Sequence, residues 1–264
     1  MYNYNPNKIK KEPQLYVLKK ILMKETKLKM QLSAVKEAKI MGTLDHPNII
    51  RYHTSFLEGD HLYILMEYAQ KGDLYKILRE QRTKKKYISE KDLWEYAHQI
   101  IQGVAYLHAN NIIHRDIKCL NIFLSEGKTI KLGDMGVSKI SPLGLLAHGT
   151  RVGTPLYLAP EVVKAQPYDH KIDIWAVGCA LYHLSCLEPP FAGDNLITLG
   201  NAIANKKPKA IPHVYSSKFR NFVDVLLSKS PKQRPTALEA IKMIPAFVTK
   251  IKENKGDGSS QALL

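Results

Sequence analysis

The chain has 264 residues, of which 45% are hydrophobic, and a formal net charge of +15. It is long enough to bury a large core in one large domain or in two lobes. Its three cysteines provide no disulfide framework and suit a reducing compartment, and the opening residues lack a secretory apolar region. The longest apolar stretch, residues 172–187, carries Asp173 and His183 and is too short to span a bilayer comfortably. It predicts a buried core helix, and we expect no membrane partner.

The positive charge favours acidic partners such as nucleic acid, anionic lipid or an acidic protein surface, for example a tubulin lattice. The lysines are dispersed, however, and the two basic runs, residues 82–86 and 206–209, fall where loops are predicted. We interpret both runs as solvated. No basic stripe interleaved with aromatic residues occurs in the sequence, so we expect no nucleic-acid partner.

The first third of the chain predicts strands and one helix. Residues 1–13 are polar and turn-rich, and the alternating residues that follow place Lys19 in a strand. Glu37 lies on the predicted helix, eighteen residues after Lys19. The predicted elements are a strand over residues 14–21, a helix over 26–44 and two strands near 51–57 and 61–66.

The remainder of the chain predicts mainly helices. Ser89, with Asp92 three residues later, caps a helix that runs to about residue 109, and Thr236 with Glu239 caps the last clear helix. Further predicted elements are a helix starting at 72–73, the buried helix at 172–187 and a loose tail over 252–264. Residues 130–133 lead directly to Asp134. A strand-rich first part and a helix-rich second part predict an α+β protein of two lobes with a cleft between them.

Four short motifs follow one another in the helix-rich part. They are His-Arg-Asp-Ile-Lys-Cys-Leu-Asn at 114–121, Asp-Met-Gly at 134–136, Gly-Thr-Pro at 153–155 and Ala-Pro-Glu at 159–161. This order and spacing resemble the catalytic set of the eukaryotic protein kinases. The resemblance implies a bilobal kinase fold. It assigns residues 1–66 to a partial small lobe, 67–72 to the hinge, 73–249 to the large lobe and 250–264 to a flexible tail.

The resemblance implies ATP and Mg²⁺ as cofactors and gives four residues catalytic roles. Phosphoryl transfer needs mainly positioning and charge neutralisation, because the charge of the transition state is spread over oxygens. Asp116 would accept or orient the proton of the substrate hydroxyl, and Lys118 would reach the γ-phosphate. Asn121 and Asp134 would hold Mg²⁺ through hard oxygen ligands.

Further residues would bind the nucleotide. Residues 16–19 resemble the strand that carries the phosphate-binding lysine, so Lys19 would contact the α- and β-phosphates and a pair with Glu37 would orient it. The backbone of Glu67 and Ala69, in a stretch that resembles the hinge, would bond adenine. Met135 replaces the usual Phe of the D-x-G motif, and we expect a shifted balance of active and inactive states with the chemistry retained.

The activation segment would span residues 134–161. Thr150 is the preferred phosphorylation site, and a phosphate there would pair with Arg115. Thr154 would pack against the catalytic loop, and its presence together with Lys118 implies serine or threonine as the acceptor. Structural support would come from Asp173, which would hold the backbone of the catalytic loop, and from a buried ion pair of Glu161 with Arg234.

Several stretches narrow the resemblance to the NIMA-related (never-in-mitosis) serine/threonine kinases. They include residues 62–68, 121–124, 131–134, 152–155 and 173–179. Such a kinase would be cytoplasmic and would phosphorylate protein substrates. The family resemblance implies microtubule or ciliary partners and a place at the cytoskeleton, basal body or cilium.

One motif of the family is missing, since no G-x-G-x-x-G precedes Lys19. We expect that the chain begins just past the Gly-rich loop, so that the phosphates lose backbone contacts and ATP affinity falls. Two interpretations stay open: a serine/threonine kinase with its acidic groups intact, and a pseudokinase-like scaffold or inactive fragment. A basic nucleic-acid-binding module is a third, with net charge alone in its favour.

Overall fold

The computed structural model describes residues 14–23, 38, 41–134 and 155–248. Within them, the residues between 1 and 44 and between 51 and 68 form one compact unit. Those between 45 and 50 and between 69 and 264 form a second, larger unit. The first is built on a sheet and the second mainly on helices, as expected for the α+β class.

The first unit contains a three-stranded antiparallel sheet with the strand order β1-β3-β2. Its strands are β1 (Tyr16–Leu22), β2 (Tyr52–Glu58) and β3 (His61–Glu67). Leu62 and Ile64 of the central strand β3 are fully buried, so this strand contributes the buried face of the sheet. Ala38 and Met41 are helical. That conformation ends before residue 44, the predicted end of this helix.

The second unit contains seven α-helices among its described residues. They are α1 (Leu74–Thr83), α2 (Glu90–Ala109), α3 (Pro160–Val163), α4 (Lys171–Cys186), α5 (Leu196–Asn205), α6 (Ser217–Leu226) and α7 (Ala237–Met243). Side chains cap the predicted starts: Asp73 accepts from the amide of Lys76, and Ser89 from that of Asp92. Thr236 begins α7 with a capping box, as its sequence predicts.

Helix α4 forms the centre of the second unit. Fourteen of its sixteen residues are buried, so the long apolar stretch is a core helix as predicted. A Cβ on Gly178 would lie 2.9 Å from Cβ of Leu226, so glycine allows α4 and α6 to approach closely. Within the described ranges, no helix is both long and apolar enough to cross a membrane.

Residues 45–50 group with the helical unit because they extend its small sheet. This sheet pairs β4 (Ile122–Leu124) with β5 (Ile130–Leu132) in antiparallel orientation. The amide of Leu132 donates to the carbonyl of Asn48 at 2.9 Å, and the amide of Ile50 donates to the carbonyl of Leu132 at 2.8 Å. The predicted lobe boundaries, which assign all of 1–66 to the small lobe, remain a prediction.

Candidate active site

The carboxylate of Asp173 holds the loop of residues 114–121 by hydrogen bonds to its backbone. This carboxylate, 1% exposed, accepts from the backbone amides of His114 at 2.8 Å and Arg115 at 2.9 Å. His108 Nε2, near the end of α2, lies 2.9 Å from the same carboxylate. Arg115 has a φ of 65°, in the left-handed region that costs a side-chain-bearing residue free energy. One buried carboxylate therefore fixes a strained loop to the first turn of α4.

Asp116 is fixed by its two predicted companions. Lys118 Nζ donates to Oδ2 of Asp116 at 3.0 Å. Asn121 Nδ2 donates to the same Oδ2 at 2.9 Å and to the Asp116 carbonyl at 2.8 Å. The structure thus brings three of the four proposed catalytic residues into one hydrogen-bonded group. Lys118 therefore gives the Asp116 carboxylate a positively charged neighbour, and Asn121 holds it in position.

The β4–β5 pair places Asn121 beside the strand end that leads to Asp134. The amide of Gly133 donates to the carbonyl of Asn121 at 3.0 Å, directly after the pairing of Ile122 with Leu132. A Cβ on Gly133 would lie 2.9 Å from side-chain atoms of both Ile50 and Phe123, so glycine is required there. With its amide nitrogen bonded to Asp116, Asn121 retains its amide oxygen for a cation. An amide oxygen and the Asp134 carboxylate are hard ligands, a donor set that fits Mg²⁺.

His114 lies under this group and is buried. Burial lowers the pKa of its imidazole, and the nearby carboxylate of Asp173 opposes that effect. His114 Nδ1 accepts from the amide of Asp116 at 3.3 Å, which requires a lone pair on that nitrogen. Both observations are consistent with a neutral ring that supports the turn before Asp116.

A buried ion pair lies at the far end of the segment that begins at residue 155. Arg234 Nη1 and Nη2 donate to the two carboxylate oxygens of Glu161 at 2.6 and 2.7 Å. Arg234 also donates to three backbone carbonyls, those of Ser228, Lys171 and Lys229. The guanidinium is therefore satisfied on all sides, and it ties α3 to the start of α4 and to the loop before α7.

A polar contact that sequence reasoning missed lies behind the catalytic loop. The Tyr157 hydroxyl is 3.4 Å from Sγ of Cys119 and 2.7 Å from Nδ1 of His183, on α4. Burial raises the pKa of the Cys119 thiol to about 12, so the thiol stays protonated and inert. Burial, and then the charge of Arg82, lowers the pKa of His183 to about 4. The only local signal was the polar side chain of His183 within a mostly apolar helix.

Replacing His183 by Gln should make the free energy of unfolding less dependent on pH between pH 7 and pH 5. The folded imidazole has a pKa of about 4, against an ordinary value of 6.5, so the unfolded chain binds a proton first as the pH falls. The wild type should lose about 2 kcal/mol at pH 5 through this group. Urea denaturation of both proteins at the two pH values measures the difference, and an identical pH dependence would contradict the assignment.

The remaining predicted site residues are placed as follows. Lys19 is half-buried in β1 and pairs with Ile64 of β3. In the same unit, the Glu67 carboxylate accepts from the amide of Arg51 at 3.1 Å. In the helical unit, the carbonyl of Ala69 accepts from the amide of Gly72 at 3.3 Å. The predicted residues Glu37, Thr150, Thr154 and Met135 lie outside the described residues.

The fold and the catalytic loop define the class of protein, and comparison with known proteins agrees. Residues 7–244 match the protein kinase domain family. Since this match covers most of the sequence, the chain belongs to the protein kinase family. It confirms the predicted fold class, an α+β bilobal kinase fold with a small sheet lobe and a large helical lobe.

The related proteins narrow the family. The chain is 35% identical to the human serine/threonine-protein kinase Nek11 over 92% of its own length and 38% of the relative. It is 36% identical to Nek3 of Oryza sativa subsp. japonica (88% of this chain, 40% of the relative). It is 35% identical to the probable kinase nek2 of Dictyostelium discoideum (94% and 60%). These matches confirm a NIMA-related kinase domain and the predicted enzyme class, protein serine/threonine kinase. The chain spans about two fifths of the length of the Nek11 and Nek3 relatives.

Proposed function

We propose that this chain transfers the γ-phosphoryl group of ATP to serine and threonine hydroxyls of protein substrates, with Mg²⁺ as the second cofactor. The observation that carries the proposal is the hydrogen-bonded group of Asp116, Lys118 and Asn121. Phosphoryl transfer needs all three of these residues together, whereas a protein that only binds a partner has no physical need of them. The names of the Nek relatives support serine or threonine as the acceptor.

In the proposed reaction the oxygen of the substrate hydroxyl forms a bond to the γ-phosphorus, and the bond from that phosphorus to the β–γ bridging oxygen breaks. Asp116 orients the hydroxyl and takes its proton, and ADP leaves. Lys118, 3.0 Å from Asp116, stabilises negative charge on the transferred group. Asn121 and Asp134 would hold Mg²⁺, which neutralises charge on the phosphates when bound.

Other roles in the proposal rest on family resemblance. Lys19 and Glu37 would serve the α- and β-phosphates, and the backbone of Glu67 and Ala69 would bond adenine. Phosphorylation of Thr150 would activate the kinase through Arg115, whose turn is held by Asp173. Thr154, Glu161 and Arg234 would support the activation segment, residues 134–161. A cytoplasmic place at microtubules, basal bodies or cilia belongs to the same proposal.

Removal of Mg²⁺ tests the proposal. We expect the chain to transfer labelled phosphate from γ-labelled ATP to a generic basic protein, and to lose at least about 100-fold in rate with excess EDTA or with Asp134→Ala. Phosphoamino-acid analysis should find phosphoserine and phosphothreonine. If the wild type and the variant both bind ATP but neither transfers phosphate, the pseudokinase-like scaffold is the better interpretation.

A further inference from the structure

Two lysine runs that are far apart in the sequence adjoin segments that pack against each other in the helical unit. The first run follows the end of α1, and the second follows the end of α5. Their six lysines are all exposed: Lys84, Lys85, Lys86, Lys206, Lys207 and Lys209. We call these six side chains the basic surface. Sequence reasoning interpreted each run separately as solvated, because nothing in the sequence indicates that they share a surface.

The end of α4 lies beside both runs. Beside the first run, Arg82 Nη2 lies 3.8 Å from Oε1 of Glu188, two residues past α4. Within the second run, the carbonyl of Lys209 accepts from the hydroxyl of Tyr182 at 3.0 Å, on the last turn of α4. The end of α4 therefore contacts Lys209 in the second run and lies beside Arg82, two residues before the first.

The segments that follow the runs also contact each other. The Tyr215 hydroxyl donates to the carbonyl of Ile88 at 2.9 Å, and the Tyr87 ring packs edge-on against the Tyr215 ring at 6.1 Å. The Glu90 carboxylate accepts from the amide of Ser216 at 2.6 Å. Tyr215 and Ile88 are buried, so these contacts belong to the core of the unit. The segments that follow the two runs are therefore fixed against each other.

The resulting charge is strongly unbalanced. Residues 79–90 and 206–220 contain ten lysines and arginines and two glutamates, and Glu188 beside Arg82 adds a third acid. Among the residues that the structure describes, none of the six lysines of the basic surface forms an ion pair. Like charges held together by a rigid core repel one another, and an acidic partner relieves that repulsion.

We propose that the basic surface binds an acidic segment of a partner polypeptide. A polypeptide is favoured over single-stranded nucleic acid because base stacking requires free aromatic faces. In residues 79–90 and 206–220, Tyr87 is the one exposed Tyr, Phe or Trp, and its ring already packs against Tyr215. The six lysines are different residues from the group of Asp116, Lys118 and Asn121, so binding is measured separately from phosphoryl transfer.

Binding of a fluorescein-labelled peptide of about 20 glutamates, measured by anisotropy without ATP, tests this inference. In about 50 mM salt, changing Lys84, Lys85 and Lys86 to Gln should weaken binding about tenfold, and so should the same change at Lys206, Lys207 and Lys209. The variant with all six lysines changed to Gln should bind the peptide about 100-fold more weakly than the wild type. The wild type should lose most of its affinity in 0.5 M salt.

A charge-matched control separates the surface from net charge. Lys164, Lys232 and Lys242 are exposed and lie on or beside α3 and α7, so changing them to Gln removes the same charge elsewhere. We expect this variant to bind within about twofold of the wild type. The inference would be overturned if the control bound the peptide as weakly as the two triple variants. It would also be overturned if only one of the two triple variants lost affinity. An RNA 20-mer that binds as tightly and responds to the same variants would overturn the choice of a polypeptide. Transfer assays on the sextuple variant report on the proposed function separately.

Discussion

Replacing Arg234 by Met should lower the free energy of unfolding by about 3–5 kcal/mol, because it leaves the Glu161 carboxylate buried without its partner. The pair is bidentate at 2.6 and 2.7 Å, and both side chains are at most 4% exposed. Removing one charge from such a pair costs more than the pair contributes, since the other charge keeps its desolvation penalty. Urea denaturation at pH 7 measures the change.

Two further variants separate the lost charge partner from lost packing. Glu161→Leu combined with Arg234→Met removes both charges, and the double variant should be more stable than either single variant. Arg234→Lys keeps the charge and loses the two-pronged geometry, so it should fall between the wild type and Arg234→Met. Strictly additive losses in the double variant would contradict the view that the two residues act as one buried pair.

Replacing Asp116 by Asn should lower the rate of phosphoryl transfer by roughly 10²–10⁴-fold, the range that general acid–base groups contribute. The amide has nearly the same shape as the carboxylate and can still accept from Lys118 and Asn121, so the loop should keep its conformation. The amide cannot take a proton, however. Steady-state kinetics should show the loss in kcat, with ATP affinity unchanged within about threefold.

Asp92→Asn is the matched control for this substitution. Asp92 pairs with Lys128 at 2.8 Å, much as Asp116 pairs with Lys118, but it lies at the start of α2. The control loses the same charge next to an equivalent lysine, and its transfer rate should stay within about twofold of the wild type. An Asp116→Asn rate as high as that of the control would rule out a proton-accepting role for Asp116.

Local patterns predicted the elements well because helix caps and apolar periodicity act over a few residues. The cap of α2 at Ser89 and the capping box of α7 at Thr236 are where the sequence places them. The buried helix α4 follows from a stretch that is apolar nearly all round. Asp173 accepts from the amide of Arg115, and Arg234 pairs with Glu161, but the supporting roles that family resemblance gives these residues remain predictions.

Long-range contacts were not predictable from local patterns. Nothing near Tyr157 indicates that its hydroxyl meets His183, which is 26 residues later. Residues 45–50 follow a predicted helix of the small lobe, yet Asn48 bonds to the strand at 130–132 of the helical unit. The placement of the two lysine runs likewise depends on the packing around the end of α4. These arrangements result from tertiary packing, which a one-dimensional pattern does not encode.

The most direct test of the account is the transfer of label from γ-labelled ATP to a basic protein, with Asp116→Asn assayed beside the wild type. We expect Mg²⁺-dependent phosphoserine and phosphothreonine with the wild-type chain, and at most about 1% of that rate with the variant. Wild-type and variant rates that are equal, or absence of transfer from a folded wild type that binds ATP, would contradict it.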